Sequence, residues 1–246
     1  ATMTDGELPQ PKLTKSRVGT WEDCRYKYKL NYIDNAQTET TSEALQRGIE
    51  IHEMLEEFYE GEVETINEAT TRLAQHPHAE KYATDIKNFI NFNKRLSPDG
   101  KTLMKPALIE ERIFSEELHV SGYLDALWVD GDNEILLDYK TGKSKDIENY
   151  SFGMHLYTYL CRVDTDFDPT HIAIYFVKED DLRVEEVSQK KIINAIRKIH
   201  KVREEINDAK EDDKFSKNPK YGCKWCDYHK THCKGVGKWK VDELEK

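Results

Sequence analysis

The chain has 246 residues, 37 Lys+Arg against 47 Asp+Glu, a formal net charge of −10, and 34% of its residues are charged. No apolar run reaches the roughly 18–20 residues of a membrane-spanning helix, which excludes an integral helical membrane protein. The polar N-terminus lacks the apolar core of a secretion signal, so the expected compartment is the cytoplasm. An aromatic content of 10% and clear apolar periodicity exclude wholesale disorder.

Residues 1–12, with Pro9 and Pro11 and no periodicity, read as a flexible leader, and 13–246 as a single domain. The pattern predicts a short helix over 16–33 that buries Val18, Trp21, Tyr28 and Ile33. Thr40-Thr41-Ser42-Glu43 has the T-x-x-E form of a capping box. Leu45, Gly48, His52, Leu55 and Tyr59 share one face of the helix that follows, which Gly61 ends. Helical patterns over 65–75 and 79–96 flank His76-Pro77-His78, and Ser97-Pro98-Asp99-Gly100 is a turn. Strands are predicted at 107–116, 119–130 and 134–140, the last two joined through Asp130-Gly131-Asp132-Asn133. A helix at 147–163, strands at 171–178 and 182–187, and a charged helix at 188–210 complete one α/β core: a mixed sheet flanked by helices.

Charge is unevenly distributed. Segment 12–30 carries six basic residues against Glu22 and Asp23, a net of +4, and segment 214–240 carries eight lysines against Asp227, a net of +7. Trp21, Tyr26, Tyr28 and Tyr32 accompany the first stretch, and Tyr221, Trp225, Tyr228 and Trp239 the second. Basic groups hold phosphates and aromatic faces stack bases, a combination suited to single-stranded nucleic acid. The plainer reading is local packing beneath a solvated lysine surface.

The chemistry-bearing residues lie on the second and third strands. Asp138 and Lys140 alternate onto one face, and hairpin pairing brings Asp125 into reach. Two carboxylates there hold a hard divalent cation through oxygen. Lys140 then positions a metal-activated water for attack on a phosphodiester. His52, one turn after Gly48, reads either as a core histidine or as a further ligand, with Gly48 letting another segment come close.

Gly48-Ile-Glu-Ile-His52, Gly122-Tyr-Leu-Asp125 and Asp138-Tyr-Lys140-Thr-Gly-Lys143 occur in the order of motifs in the RecB-type nucleases of the PD-(D/E)XK superfamily, which the chain resembles over roughly 20–235. The resemblance implies that His52, Asp125, Asp138 and the Tyr139 carbonyl bind Mg²⁺ or Mn²⁺ and that Asp125, Asp138 and Lys140 are catalytic. Where the family has Q-x-x-x-Y, this chain has His155-Leu-Tyr-Thr-Tyr159, so His155 and Tyr159, with Lys143, are expected phosphate or DNA contacts. The implied activity is a metal-dependent DNA nuclease, an exonuclease on single-stranded DNA. The alternatives are a structure-specific endonuclease, an inactive DNA-binding subunit, or a zinc-stapled interaction module.

Of five cysteines, Cys223, Cys226 and Cys233 form a C-x2-C-x6-C cluster, Cys24 lies in the N-terminal basic stretch, and Cys161 reads as a buried spectator. In an intracellular chain such a set holds metal rather than forming disulfides. Spacing leaves zinc and iron–sulfur open, as it does His229 or His232 in place of Cys24. Similarity to the branch that includes the AddB-type and CRISPR-adaptation nucleases implies a structural [4Fe–4S] cluster on Cys24, Cys223, Cys226 and Cys233, stapling 13–40 to 211–240, although that branch spaces its tail C-x2-C-x5-C. A compact nuclease of this kind fits a phage.

Overall fold

The structure, a computed structural model, describes residues 8–36, 38, 42–229 and 231–233. The described residues divide into two compact units, one of 42–115 and 121–195, the other of those within 8–38, 116–120 and 196–233.

The first unit holds the sheet. Strand β1 (Leu108–Ser115) lies beside β2 (Val120–Asp130) in the order β1-β2-β3-β4-β5. Strand β2 returns antiparallel as β3 (Asn133–Lys140) through a turn in which Gly131 takes φ +58°. Strand β3 runs parallel to β4 (His171–Phe176), which pairs antiparallel with β5 (Asp181–Glu186). A parallel pair requires a crossover. Here it is a 3₁₀ turn (Ile147–Tyr150) and helix α6 (Ser151–Asp164), the latter over the region predicted at 147–163. The mixed sheet flanked by helices is therefore the architecture that the sequence pattern calls for.

Helix α3 (Glu43–Tyr59) buries Ile51, Met54, Leu55 and Phe58 in a common core with Leu137, Tyr139 and Tyr175 of the sheet. Its N-cap is Ser42, whose hydroxyl accepts the Leu45 N–H at 3.2 Å; Thr40 and Thr41 of the expected capping box lie outside the described residues. Leu45, in the first turn, is exposed rather than part of the apolar face. A capping box does form at Thr65 and Glu68, opening α4 (Ile66–Leu73). Helix α5 (Ala83–Leu96) starts four residues later than its periodicity suggests, after turns through His76-Pro77-His78.

In the second unit, the helix expected over 16–33 is two: α1 (Lys15–Asp23) and α2 (Arg25–Tyr32). Cys24 separates them with extended backbone (φ −162°, ψ 114°); its N–H closes α1 on Thr20, and its carbonyl accepts the Tyr28 N–H that opens α2. The bend brings Trp21 and Tyr28 edge to face at 5.3 Å, and Leu30 rather than Ile33 is buried. Residues 9–11, read from the sequence as leader, are anchored: Arg203 Nε donates to the Pro11 carbonyl at 3.2 Å and Asn207 to the Gln10 carbonyl at 3.0 Å. Helix α7 (Gln189–Glu211) supplies both donors, and among the described residues no helix is long and apolar enough to cross a membrane.

Candidate metal centre

The centre lies where β2 and β3 part. Their register runs from Asp130↔Asn133 to Ala126↔Leu137. Beyond that point the Asp125 side chain takes over the ladder's role, its Oδ2 accepting the Tyr139 N–H at 2.7 Å. Lys140 Nζ lies 2.6 Å from Asp138 Oδ2 and 5.3 Å from the centroid of the Tyr150 ring. Helix α3 places His52 against the same strand end, with Nε2 3.1 Å from the Tyr139 carbonyl and Nδ1 3.7 Å from Asp125 Oδ1. Gly48 faces Thr141, but an added methyl would meet the threonine hydroxyl at 3.9 Å, an ordinary contact, so the approach does not require a glycine there. Arg47 fixes this approach, donating to the Thr141 carbonyl at 3.2 Å and pairing with Asp85 at 2.6 Å.

One further residue belongs to this centre. Glu110 of β1 brings Oε1 to 3.8 Å from His52 Nδ1, and one donor atom each of His52, Glu110 and Asp125 lies within 4.8 Å of the others. Sequence reading missed it because Glu110 and Glu111 look like a solvated pair on a strand. The residue takes φ +46°, a left-handed conformation rare outside glycine, and no sequence signal announces it.

Burial, then the neighbouring Asp138 charge, pushes the Asp125 carboxyl up to about 7, against the pull of His52 and the Tyr139 N–H. For His52, burial works against protonation but is outweighed by the Glu110 carboxylate, 3.8 Å from Nδ1, and by the charges of Asp125 and Asp138, so its pKa is raised. Carboxylate oxygens and an imidazole gathered in a half-buried recess suit Mg²⁺ or Mn²⁺.

Among the expected DNA contacts, Lys143 is exposed and Tyr159 half-buried. His155 is fully buried: Nδ1–H donates to the Ser151 carbonyl at 2.8 Å, and Nε2 accepts the Ser188 N–H at 3.2 Å. Burial lowers its pKa, and both nitrogens are used inside the fold, so the expected phosphate contact is corrected to a structural one. Gly122 has a packing reason: a Cβ there would stand 2.4 Å from Tyr157 Cε1. Gly122→Ala must displace that ring or the strand bearing Asp125, and thermal denaturation is expected to register a loss of about 1–3 kcal/mol.

In the other unit, Cys24, Cys223, Cys226 and Cys233 line one cavity of about 100 Å³, with Tyr26, Trp225 and His229 also on its wall. Burial raises the Cys233 thiol pKa, and the other three cysteines add to the rise against Lys217. Tyr26 N–H donates to the Ser216 carbonyl at 3.1 Å and Asn218 to the Asp23 carbonyl at 2.8 Å, which ties the cysteine-bearing C-terminal segment to the start of α2. Cys161 belongs to the sheet-bearing unit, where it is buried with its sulfur 3.3 Å from the Thr165 hydroxyl.

A mixed sheet that ends a central strand on Asp-x-Lys, beside a buried carboxylate and an imidazole, defines the class of metal-dependent nuclease folds. The chain belongs to the PD-(D/E)XK nuclease superfamily, whose family description matches residues 12–233. Its fold is also similar to a crystal structure from Eubacterium rectale described as "Putative exonuclease", at TM-score 0.56 and 12% identity, covering 91% of this chain and 90% of that one. Among curated proteins no sequence match is found.

Proposed function

We propose that the protein is a divalent-metal-dependent deoxyribonuclease of RecB type, acting as an exonuclease on single-stranded DNA. The observation that carries this is the meeting of the Asp138–Lys140 pair with the Asp125–His52 contact at one strand end. His52, Asp125, Asp138 and the Tyr139 carbonyl are the residues to hold Mg²⁺ or Mn²⁺. Such an ion offsets charge building on a phosphate and acidifies water. Asp138 holds the Lys140 ammonium in place, and that ammonium donates to the attacking water or a phosphate oxygen. Asp125, anchored on the Tyr139 amide, keeps one oxygen toward His52. Tyr159 and Lys143 remain candidate contacts to the strand.

The single-strand reading draws on the aromatic and basic residues of the N- and C-terminal segments. Lys217 lies 4.7 Å from the Tyr26 ring centroid and Lys224 4.3 Å from that of Trp225, which is 67% exposed. An exonuclease role is in keeping with the description of the Eubacterium rectale protein. Residues 13–246 act as one nuclease domain.

The four cysteines hold a structural [4Fe–4S] cluster. The reading is supported by the meeting of one N-terminal and three C-terminal cysteines on one cavity wall, a thiolate set that suits such a cluster. Anaerobically purified protein is expected to be brown with an absorbance band near roughly 400 nm, lost in Cys24→Ser. A colourless protein carrying stoichiometric zinc overturns the cluster.

Digestion of end-labelled single- and double-stranded DNA with Mg²⁺ or Mn²⁺ tests the activity. Progressive shortening of single strands, abolished by EDTA, is expected. Internal cuts would point to an endonuclease, and binding without degradation to a DNA-binding subunit of the same fold.

A further inference from the structure

We propose that Tyr123 is the stacking platform for the base beside the scissile phosphate, so that the centre takes nucleotides whose bases are unpaired. This rests on the nuclease reading above and names the residue by which that same site selects single strands.

Tyr123 lies on β2 between two residues that hold the strand to the fold. Gly122 sits against the Tyr157 ring, which a Cβ would meet at 2.4 Å, and Leu124 is buried. Side chains alternate along a strand, so Tyr123 is turned away from that packing, to the side of Asp125. It is 60% exposed, and among the described residues no hydrogen bond, ion pair or ring contact engages its side chain. An exposed aromatic ring by itself means little; here its position carries the weight. The β2–β3 register ends at Ala126↔Leu137, and continued toward the start of β2 it sets Tyr123 level with Lys140, where the strands have parted. Tyr123 also stands two places from Asp125, about 7 Å along a strand, close to the span of one extended nucleotide. A phosphate held at Asp125 and Lys140 therefore has its neighbouring base within the ring's reach. Tyrosine orders only two side-chain torsions on binding, and its face suits any base. A base inside a duplex already has both faces covered by its stacked neighbours, so it gains nothing from such a platform until it unpairs.

The test is steady-state digestion of end-labelled single strands by the full chain, with Tyr123→Ala and Tyr123→Phe beside the wild type. Loss of one stacked base is expected to raise KM about five- to hundredfold in Tyr123→Ala. The change in kcat is expected to be far smaller, because the ring holds ground and transition states alike. The melting temperature should stay within about 2 °C of wild type, since the ring is largely exposed. Tyr123→Phe, which keeps the ring, is expected to restore most of the lost KM. Strands carrying a single abasic residue locate the contact. At one position beside the scissile bond, the missing base should raise the wild-type KM and add nothing further in Tyr123→Ala. An unchanged KM in Tyr123→Ala, a rise as large on blunt duplex as on single strands, or an abasic penalty of equal size in wild type and variant overturns this inference and leaves the nuclease reading standing. Wild-type protein that digests no DNA overturns both.

Discussion

Asp125→Asn is expected to raise the melting temperature of the metal-free protein by roughly 5 °C and to erase the further rise that Mg²⁺ or Mn²⁺ gives the wild type. The Asp125 carboxyl is pushed up to about 7, by burial first and by Asp138 second. A folded-state pKa above the unfolded value means that the folded protein holds its proton more tightly. The stabilisation from that proton is full at acid pH and is lost as pH rises toward 7, so above 7 the metal-free fold carries an unfavourable buried charge. Asparagine removes the charge and keeps an oxygen for the Tyr139 N–H, now at 2.7 Å. It cannot replace the anionic ligand, so the ion no longer stabilises the fold. Scanning calorimetry at pH 8 with EDTA and with Mn²⁺ reads both effects. A variant less stable than wild type in EDTA would show that Asp125 is held by its neighbours rather than strained by them.

Lys140→Ala is expected to lower cleavage by about 10²- to 10⁴-fold, the usual range for a positioned proton-handling group, with Mn²⁺ affinity reduced little. Lys140 is paired with Asp138 at 2.6 Å, and its removal leaves a largely buried carboxylate without its counter-charge. The variant should therefore melt lower than wild type in EDTA and recover when Mn²⁺ supplies the missing positive charge. Lys140→Arg should not restore activity, because a planar fork cannot occupy the place of a compact ammonium. Steady-state digestion of labelled single strands, run beside calorimetric Mn²⁺ titration, separates lost chemistry from lost metal. Cleavage within about threefold of wild type, well short of that range, would remove Lys140 from the mechanism.

Much of the core was legible because its signals are local. Alternation marked β2 and β3 and set Asp138 and Lys140 on one face, the 3.6-residue period put His52 on the inner side of α3, and the hairpin turn implied that Asp125 comes near them. The same local logic misjudged Cys24, where a continuous periodicity hid the break between α1 and α2. It misjudged His155 as well. A histidine in the place of a family glutamine looks like a ligand for phosphate until the Ser188 amide is found on its Nε2, 33 residues away.

Residue types, spacing and period, all properties of neighbours along the chain, were enough to establish the α/β class and the Asp-x-Lys strand, and to single out the C-x2-C-x6-C spacing of Cys223, Cys226 and Cys233. What only tertiary structure decided is which groups meet. Glu110 reaches His52 through a left-handed backbone that no local preference encodes, Asp125 takes the amide of Tyr139 where two strands part, and four cysteines drawn from the two ends of the chain line one cavity. Those contacts depend on how distant segments pack, and packing is fixed by the summed burial of the whole core rather than by any short stretch of sequence.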